Sequence, residues 1–347
     1  MFQKVPTNSV DIAVACKKIQ IMIIIRTPLR ISFFGGGTDF PEFFSANGGA
    51  VLGTSINKYI YHTVSHFPSW LFDHKIRFSY RKVEQVRSLD EIEHLPFREI
   101  LRHCGVLQNV EVNLASDLPS FSGLGSSSSF TVGLIKGLNT FEGRHTGADK
   151  LARTAIHIER ELLKEAVGLQ DQIFAAYGGF NLIRFRGQSD FTVERVAISE
   201  ERMQELDESL MLFFTGITRR AQEVEQRKLK NLAQIRANLN NMLALVDDGY
   251  NALTGTGSLA AFGLLLHDTW NEKRRLDGAV SAPEIDRLYQ LGVEAGALGG
   301  KLLGAGGGGF MLFFVPPERQ AAVRTALSLY HEVPFVINAP GSTVVHS

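Results

Sequence analysis

Polar and apolar residues alternate along several segments of the chain in the way that β-strands require. The segments KYIYHTVSH at 58–66 and NVEVNL at 109–114 alternate with a period of two, which is typical of a half-buried strand. Further β-rich apolar runs predict strands at 21–26, 30–34, 180–185, 210–214 and 310–315.

Between these strands, apolar residues recur at helical spacing. Leu151, Ala155, Ile158 and Leu162 fall on one face of a helix predicted over 149–165. The same spacing predicts helices over 130–140, 219–245, 258–270 and 282–295. Strands and helices therefore alternate in both halves of the chain, which is typical of two α/β or α+β sandwiches.

The 347 residues are enough for two hydrophobic cores. A polar, charged stretch at 199–209 is the best boundary, so we expect an N-terminal domain at 22–200 and a C-terminal domain at 201–347. Met22 is followed by three isoleucines and could be the true start, which would make residues 1–21 an unstructured extension.

Charge excludes some partners. Lys and Arg number 36, as do Asp and Glu, so no global positive field attracts a nucleic acid or a membrane. The apolar stretch at 19–25 is far shorter than a membrane span. Two cysteines, Cys16 and Cys104, cannot form a disulfide framework, which favours a reduced cytoplasmic location. Because the net charge is zero, any phosphate must be bound by local groups.

Glycine is the informative excess, since 33 residues are about 9.5% of the chain, and much of it lies in three loops. The segment PSFSGLGSSSS at 119–129 lies between a predicted strand and a predicted helix. Its glycines let a ligand approach the backbone, and its serines begin a helix whose first N–H groups are free to bind an anion. No lysine follows in the Walker pattern, and without a ligand the segment would be an ordinary N-cap.

The other two loops are RTPLRISFFGGGTD at 26–39 and GGKLLGAGGGGF at 299–310. The first places Arg30 and Asp39 on either side of a bare backbone turn that could hold a polyol, although a hairpin with a surface arginine has the same pattern. The second has five glycines among residues 304–309, which either another chain segment or a ligand must approach closely. A dinucleotide site is disfavoured because the apolar strand follows the glycines.

Together, in this order, the three motifs resemble those of the GHMP kinase superfamily. The segments RTPLRISFFGGGTDFPEFF, NGGAVLGTSINKYIY and IHIERELLKEAVGLQDQIFAAYGGFN extend the resemblance to bacterial heptose 7-phosphate kinases, from Met22 to the C-terminus. The resemblance implies an α+β fold with a ribosomal-protein-S5-like N-terminal domain and a ferredoxin-like C-terminal domain. It also implies ATP and Mg²⁺ as cofactors.

The resemblance further implies a role for each motif. Asp171 would be the catalytic carboxylate beside Arg30, while Glu159, twelve residues earlier as in galactokinases, would bind magnesium with Ser127. Without the resemblance, Asp171 would be interpreted as a helix cap and Glu159 as a solvated helix side chain. ATP would lie against residues of the second motif: Gly123, Leu124, Gly125, Ser126, Ser127 and Ser128. Sugar would lie against residues of the first and third motifs: Gly35, Gly36, Gly37, Thr38, Asp39, Lys301, Gly304, Gly306 and Gly307.

By the same resemblance the reaction transfers phosphate from ATP to the anomeric hydroxyl of D-glycero-D-manno-heptose 7-phosphate, and the 1,7-bisphosphate would feed the synthesis of an activated heptose for surface polysaccharide. Gly36 and Gly37 replace a Glu and a His of galactokinases, which disfavours galactose. Lys301 and one of residues 273–275 are the favoured ligands for the sugar phosphate; the other candidates are Lys58, Arg184 and Arg219. A kinase for another sugar such as fucose or arabinose, and a non-catalytic sugar and ATP sensor, are the alternatives.

Overall fold

The computed structural model describes residues 22–120, 122–218 and 221–347, in which two β-sheets carry the fold. The possible extension at 1–21, with Cys16, and the candidate cation Arg219 lie outside the described residues. The first sheet has eight strands: β1 Met22–Phe34, β2 Gly49–His66, β3 Ile76–Ser79, β4 Val83–Val86, β5 Val110–Ser116, β6 Phe180–Arg186, β7 Asp190–Arg195 and β12 Thr343–His346.

The long strand β2 organises the first sheet. It pairs antiparallel with β1 along one edge, while its first half pairs with β6 and its second half with β5. The strand order is β12-β1-β2-β5-β3-β4, in which β3 runs parallel to β5. Strand β6, which pairs with β2, also pairs with β7. The C-terminal strand β12 therefore returns to the first sheet and pairs with β1.

The second sheet is antiparallel and contains four strands in the order β11-β8-β10-β9. Its strands are β8 Leu210–Phe214, β9 Gly299–Leu302, β10 Phe310–Phe314 and β11 His331–Glu332. All five residues of β10, FMLFF, are buried, as expected for a central strand. The strand predicted at 210–214 is confirmed, and the strand predicted at 310–315 is confirmed except that it ends at Phe314.

Eleven α-helices are described: α1 Pro41–Asn47, α2 Leu95–Cys104, α3 Ser126–Phe141, α4 Ala148–Ile156, α5 Gln170–Tyr177, α6 Glu200–Ser209, α7 Ala221–Lys230, α8 Leu232–Thr254, α9 Ala260–Arg274, α10 Pro283–Glu294 and α11 Gln320–Ala326. A π-helical turn, His157–Leu162, follows α4, and single 3₁₀ turns occur at Ser69–Leu71, Leu89–Glu91 and Pro317–Arg319. Within the described residues, none of these helices combines the length and the apolar character needed to span a membrane.

Two predicted helices were wrong because each of them runs through an interruption of the α-helix. The helix expected over 149–165 changes to a π-helical turn after Ile156, and Glu165 lies beyond it. The helix expected over 219–245 is two helices, α7 and α8, because the chain breaks from helical geometry at Asn231. The polar stretch at 199–209, expected to be a boundary, contains α6, which leads directly into β8.

Helix α3 lies close against the first sheet because two of its residues are glycines. A Cβ atom at Gly133 would come within 2.6 Å of Thr27 Oγ1, and one at Gly137 within 2.9 Å of a Val64 methyl carbon. These contacts fix the axis of α3 across β1 and β2. They also fix the helix N-terminus at Ser126 in relation to β1.

Candidate active site

The three glycine-rich motifs meet in one cleft between loops of the first sheet and helices and loops of the second. The predicted residues that line it are Arg30, Gly36, Gly37, Asp39, Gly123, Gly125, Ser126, Ser127, Ser128, Asp171, Lys301, Gly304 and Gly306. Segments far apart in the sequence therefore form a single site.

Arg30 and Asp171 form a two-pronged ion pair in the cleft. Arg30 Nε donates to Asp171 Oδ1 at 2.8 Å, and Nη2 donates to Oδ2 at 2.9 Å. The Arg30 side chain is 7% exposed and that of Asp171 is 26% exposed. Two parallel charged hydrogen bonds fix the plane of the carboxylate as well as its position. Asp171 is therefore held in a fixed orientation at the first turn of α5.

Arg30 also holds the second motif. Its Nη1 donates to Gly123 O at 2.6 Å, and its main-chain N–H donates to Leu124 O at 3.0 Å. Gly125 adopts φ +75°, and a Cβ atom there would lie 3.3 Å from Asp171 Oδ2. Glycine is required at 125 because an L side chain would be strained in that conformation, next to the carboxylate. One arginine thus couples the glycine loop to Asp171.

The glycine loop leads into the N-terminus of α3, a helix of 16 residues with no side-chain cap. The first N–H groups of a helix have no carbonyl partner within the helix, and the helix dipole makes this end positive. Ser126 and Ser127 stand at this end and line the cleft. The arrangement suits an anion such as a phosphate group.

Glu159 lies in the π-helical turn and is 1% exposed, so it is behind the cleft wall. Ser128 Oγ donates to its Oε2 at 2.9 Å, and Gln172 Nε2 donates to the same oxygen. Oε1 has no hydrogen-bond partner among the described residues. Burial raises the pKa of Glu159 to about 7. Ser128 is therefore the serine in contact with Glu159, and a metal shared by Ser127 and Glu159 stays a prediction.

Asp39 is buried, and its carboxylate accepts two main-chain hydrogen bonds. Gly37 N–H donates to Oδ1 at 3.0 Å, and Gln170 N–H donates to Oδ2 at 3.2 Å. Burial, together with the negative charge of Asp171, raises the pKa of Asp39 to about 6. Asp39 thereby joins the first motif to the start of α5, and its role as a sugar ligand stays a prediction.

Three buried lysines line the cleft. Lys301 Nζ donates to Ser32 O at 2.9 Å and to Phe33 O at 2.7 Å, and burial lowers its pKa to about 7. Lys273 Nζ donates to Leu302 O at 2.7 Å and to Gly304 O at 2.5 Å; burial and the nearby lysines keep its pKa well below the usual range. Lys228 donates to Ala305 O and pairs with Glu225.

The remaining candidate cations described by the structure do not line the cleft. Arg184 pairs with Asp247, Arg274 pairs with Asp286, and Lys58 lies on β2 outside the cleft. Sequence reasoning missed Lys228. It lies among other basic residues in the last turn of α7, and nothing in the sequence distinguishes it from them. Among the polar residues of the cleft, sequence reasoning also missed Ser32, Gln170 and Glu225.

The glycines of the third motif serve contact between chain segments as well as the cleft. A Cβ atom at Gly304 would come within 2.4 Å of Gly123 Cα, and one at Gly309 within 2.2 Å of Ser122 O. The second and third motifs therefore pack backbone against backbone. The sequence left open whether another chain segment or a ligand approaches these glycines. The structure shows that a chain segment does.

Five predicted residues lie outside the cleft lining: Gly35, Thr38, Leu124, Glu159 and Gly307. Gly35 adopts φ +81° and packs against Ala50, while Thr38 Oγ1 donates to Gly35 O. Leu124 is fully buried, and Gly307 N–H donates to Val280 O. These residues shape the loops, and their contact with a ligand stays a prediction.

Family models match both halves of the chain. Residues 95–179 match the N-terminal domain of GHMP kinases, and residues 250–332 match their C-terminal domain. A D-glycero-alpha-D-manno-heptose 7-phosphate kinase of Campylobacter jejuni is 33% identical over 313 residues, which cover 87% of this chain and 92% of that protein. The chain belongs to the GHMP kinase family. The predicted α+β fold with its two family domains is confirmed, and the protein is an ATP-dependent sugar kinase.

Other relatives of this kinase include the L-fucokinase/L-fucose-1-P guanylyltransferase of Bacteroides fragilis, 26% identical over 89% of this chain and 36% of that protein. The crystal structure of a sugar kinase from Campylobacter jejuni is 28% identical with a TM-score of 0.71, and covers 95% of this chain and 100% of that one. A heptose 1-phosphate kinase structure from Bacteroides thetaiotaomicron, at 24% identity, shares the fold with a TM-score of 0.76 over 94% of this chain and 99% of that one.

Proposed function

We propose that this sugar kinase transfers the γ-phosphoryl group of ATP to the anomeric hydroxyl of D-glycero-D-manno-heptose 7-phosphate, giving the 1,7-bisphosphate. The observation that carries the proposal is the oriented Arg30–Asp171 pair beside the N-terminus of α3, with buried lysines in the same cleft. The similarity of the chain to the D-glycero-alpha-D-manno-heptose 7-phosphate kinase of Campylobacter jejuni supports the choice of sugar.

Phosphates of ATP would lie at the N-terminus of α3, against Gly123, Gly125, Ser126 and Ser127. Free N–H groups there can donate to phosphate oxygens, and the glycines allow the close approach. The packing of the third motif on the second would keep this loop in place. No basic surface is needed, in agreement with the zero net charge.

Glu159 and a serine of the second motif fit Mg²⁺, which prefers oxygen ligands. Glu159 is buried with one unpartnered oxygen and no ion pair recorded among the described residues. No cluster of three or more His, Cys, Asp or Glu side chains in residues 22–120, 122–218 and 221–347 could hold a metal alone. ATP oxygens would therefore complete the ligand set. When bound, the ion supplies positive charge for the transferring phosphoryl group.

Asp171 would accept or orient the proton of the sugar hydroxyl. Its carboxylate plane is fixed by Arg30, and the side chain reaches the cleft. Arg30 orients Asp171 and brings a cation to the place where negative charge develops during transfer. Because both groups are preorganised by buried contacts, little reorganisation is required in the transition state.

The sugar would contact Gly36, Gly37 and Asp39 of the first motif, and its 7-phosphate would contact Lys301 and Lys273. Neither lysine has a recorded carboxylate partner within the described residues, and both reach the cleft. A buried ammonium group that is bonded only to neutral carbonyls gains from a nearby anion. These lysines are therefore the proposed ligands of the sugar phosphate.

A panel of acceptors tests the proposal: ATP consumption is measured with heptose 7-phosphate and with free heptose, L-fucose, L-arabinose and D-galactose. We expect the highest kcat/KM for heptose 7-phosphate. Lys301→Met should raise the KM for the phosphorylated sugar, whereas Lys58→Met, outside the cleft, should not. Equal or faster turnover of a free sugar would refute the proposal, and absence of turnover with all of them would favour the sensor.

The resemblance to the Bacteroides fragilis protein supports L-fucose as the second candidate acceptor. Fucose carries no phosphate, so the buried lysines would have no anion to bind apart from ATP. In that case Lys301→Met would alter the KM for ATP rather than the KM for the sugar. The same panel therefore separates the two functions.

A further inference from the structure

The first motif contains a glycine whose presence the backbone does not explain. Gly35 and Gly37 adopt φ values of +81° and +98°, which favour glycine. Gly36 has no such φ, and a Cβ atom there would meet nothing closer than Ser32 Oγ at 3.6 Å. Alanine would therefore fit at position 36 without strain, so glycine leaves open a space that a side chain would fill.

Two polar side chains border that space. Ser32 Oγ is one, and Gln170 Nε2, 4.0 Å from the Cβ position of Gly36, is the other. Both residues line the cleft and are more than nine-tenths buried, with exposures of 7% and 8%. Within the part of the chain that the structure describes, neither Ser32 Oγ nor Gln170 Oε1 has a hydrogen-bond partner. Buried polar atoms are nearly always paired, so two unpaired ones beside a cleft point to a ligand that would pair them.

The main chains of both residues are fixed. Ser32 O accepts from Lys301 Nζ, and Gln170 N–H donates to Asp39 Oδ2. Ser32 follows Arg30 by two residues on β1, which places both side chains on one face, and Gln170 precedes Asp171. The two unpartnered groups are therefore held next to the proposed catalytic pair, at the side where an acceptor must lie.

The chemistry of the two groups defines the ligand. A serine hydroxyl and a carboxamide can each donate and accept a hydrogen bond, and neither carries a charge. They match a sugar hydroxyl, which also donates and accepts, better than a phosphate or a carboxylate. We propose that Ser32 and Gln170 form a hydroxyl-binding subsite over Gly36 that selects which sugar this kinase accepts.

The inference rests on the proposed sugar-kinase reaction but not on which sugar is used. The first measurement therefore identifies the sugar that the wild-type protein phosphorylates best. If that sugar is not heptose 7-phosphate, the proposed acceptor is wrong, and the subsite is still tested with the sugar that was found. Its single-deoxy analogues, each lacking one hydroxyl, are the probes.

The test combines Ser32→Ala and Gln170→Met with these analogues. We expect each variant to lose about tenfold in kcat/KM for the parent sugar, as for one neutral hydrogen bond, with the KM for ATP unchanged. For one deoxy analogue the variants and the wild-type protein should be equally active, because the contact is already absent. Ser45→Ala, at an exposed serine of α1, is the matched control and should behave as wild type.

Gly36→Ala provides an independent measurement, since the methyl group fits the fold but occupies the space. Its KM for the parent sugar should rise while its melting temperature stays within experimental error of wild type. The subsite is overturned if Ser32→Ala and Gln170→Met lower activity equally for the parent and every deoxy analogue, or leave all of them unchanged. It is also overturned if Gly36→Ala leaves the sugar KM unchanged.

Discussion

Asp171 and Glu159 are both carboxylates beside the cleft, but the chain balances their charges in different ways. Asp171 has a cation of its own, Arg30, which donates two hydrogen bonds to it. Glu159 is more deeply buried, and within the described residues its hydrogen bonds come from neutral groups such as the Ser128 hydroxyl and the Gln172 amide. The chain itself therefore provides both the countercharge and the orientation of Asp171.

The difference indicates what each carboxylate requires. A buried carboxylate without a cation is disfavoured as an anion, and with its pKa raised to about 7 Glu159 is only partly ionised at neutral pH unless a positive charge comes from outside the chain. An external cation such as Mg²⁺ would supply to Glu159 what Arg30 supplies to Asp171. The four predictions below test this contrast, from the largest expected effect to the smallest.

Replacing Asp171 by Asn should have the largest effect. The amide keeps the shape of the side chain but cannot take the proton of the acceptor, so kcat should fall about 10³-fold. ATP affinity should change little, as measured by calorimetric titration, because the proposed nucleotide contacts exclude Asp171. Asp149→Asn, at an exposed aspartate of α4, is the control. A large loss of ATP affinity in D171N would contradict the assignment.

The pH dependence of stability should reveal the uncompensated charge of Glu159. Its pKa is raised from 4.5 to about 7, so the folded protein binds this proton more tightly than the unfolded chain does. The stabilisation is complete below pH 4.5 and is lost as pH rises to 7, a change of about 3 kcal/mol in the free energy of unfolding.

Urea unfolding without magnesium, at pH 5 and pH 7.5, measures that change. Glu159→Gln should lose less stability than wild type over this interval. Asp39, whose pKa is raised to about 6, contributes in the same direction to both proteins and cancels in the comparison. Identical losses in the two proteins would mean that Glu159 does not carry the effect.

Glu159→Gln should also change the magnesium requirement. The amide keeps the shape of the group but provides no negative charge, so the Mg²⁺ concentration for half-maximal activity should rise by roughly 10- to 100-fold. Glu161→Gln, an exposed neighbour in the π-helical turn, should leave the requirement unchanged. An unaltered Mg²⁺ titration in E159Q would remove Glu159 from the metal site.

Arg30→Lys should have the smallest effect, because it keeps the positive charge and removes the two-pronged geometry. One charged hydrogen bond to Asp171 can remain, so we expect kcat to fall about tenfold. Arg153→Lys, at an exposed pair with Asp149, is the matched control. Activity as low as that of D171N would show that the arginine does more than orient the carboxylate.

Much of the fold was readable from local patterns. Strands at 210–214 and 310–315 were predicted because continuous apolar runs can be buried on both faces without a distant partner being specified. The break at Asn231 and the π-helical turn at His157–Leu162 were not predicted, because neither interrupts the apolar spacing. The pairing of β12 with β1 joins the first and the last of the described strands, and no local pattern reports such a contact.

The sequence by itself determined the family and the three motifs, because glycine, serine and charged residues stand at fixed spacings within single loops. Only the tertiary structure decided that Ser128 contacts Glu159, that Lys228 and Lys273 reach the cleft and that Gly304 packs on Gly123. Each of these contacts joins segments far apart in the chain. Burial and the absence of a partner, which single out Ser32, Gln170 and Glu159, are properties of a residue's surroundings and not of its type.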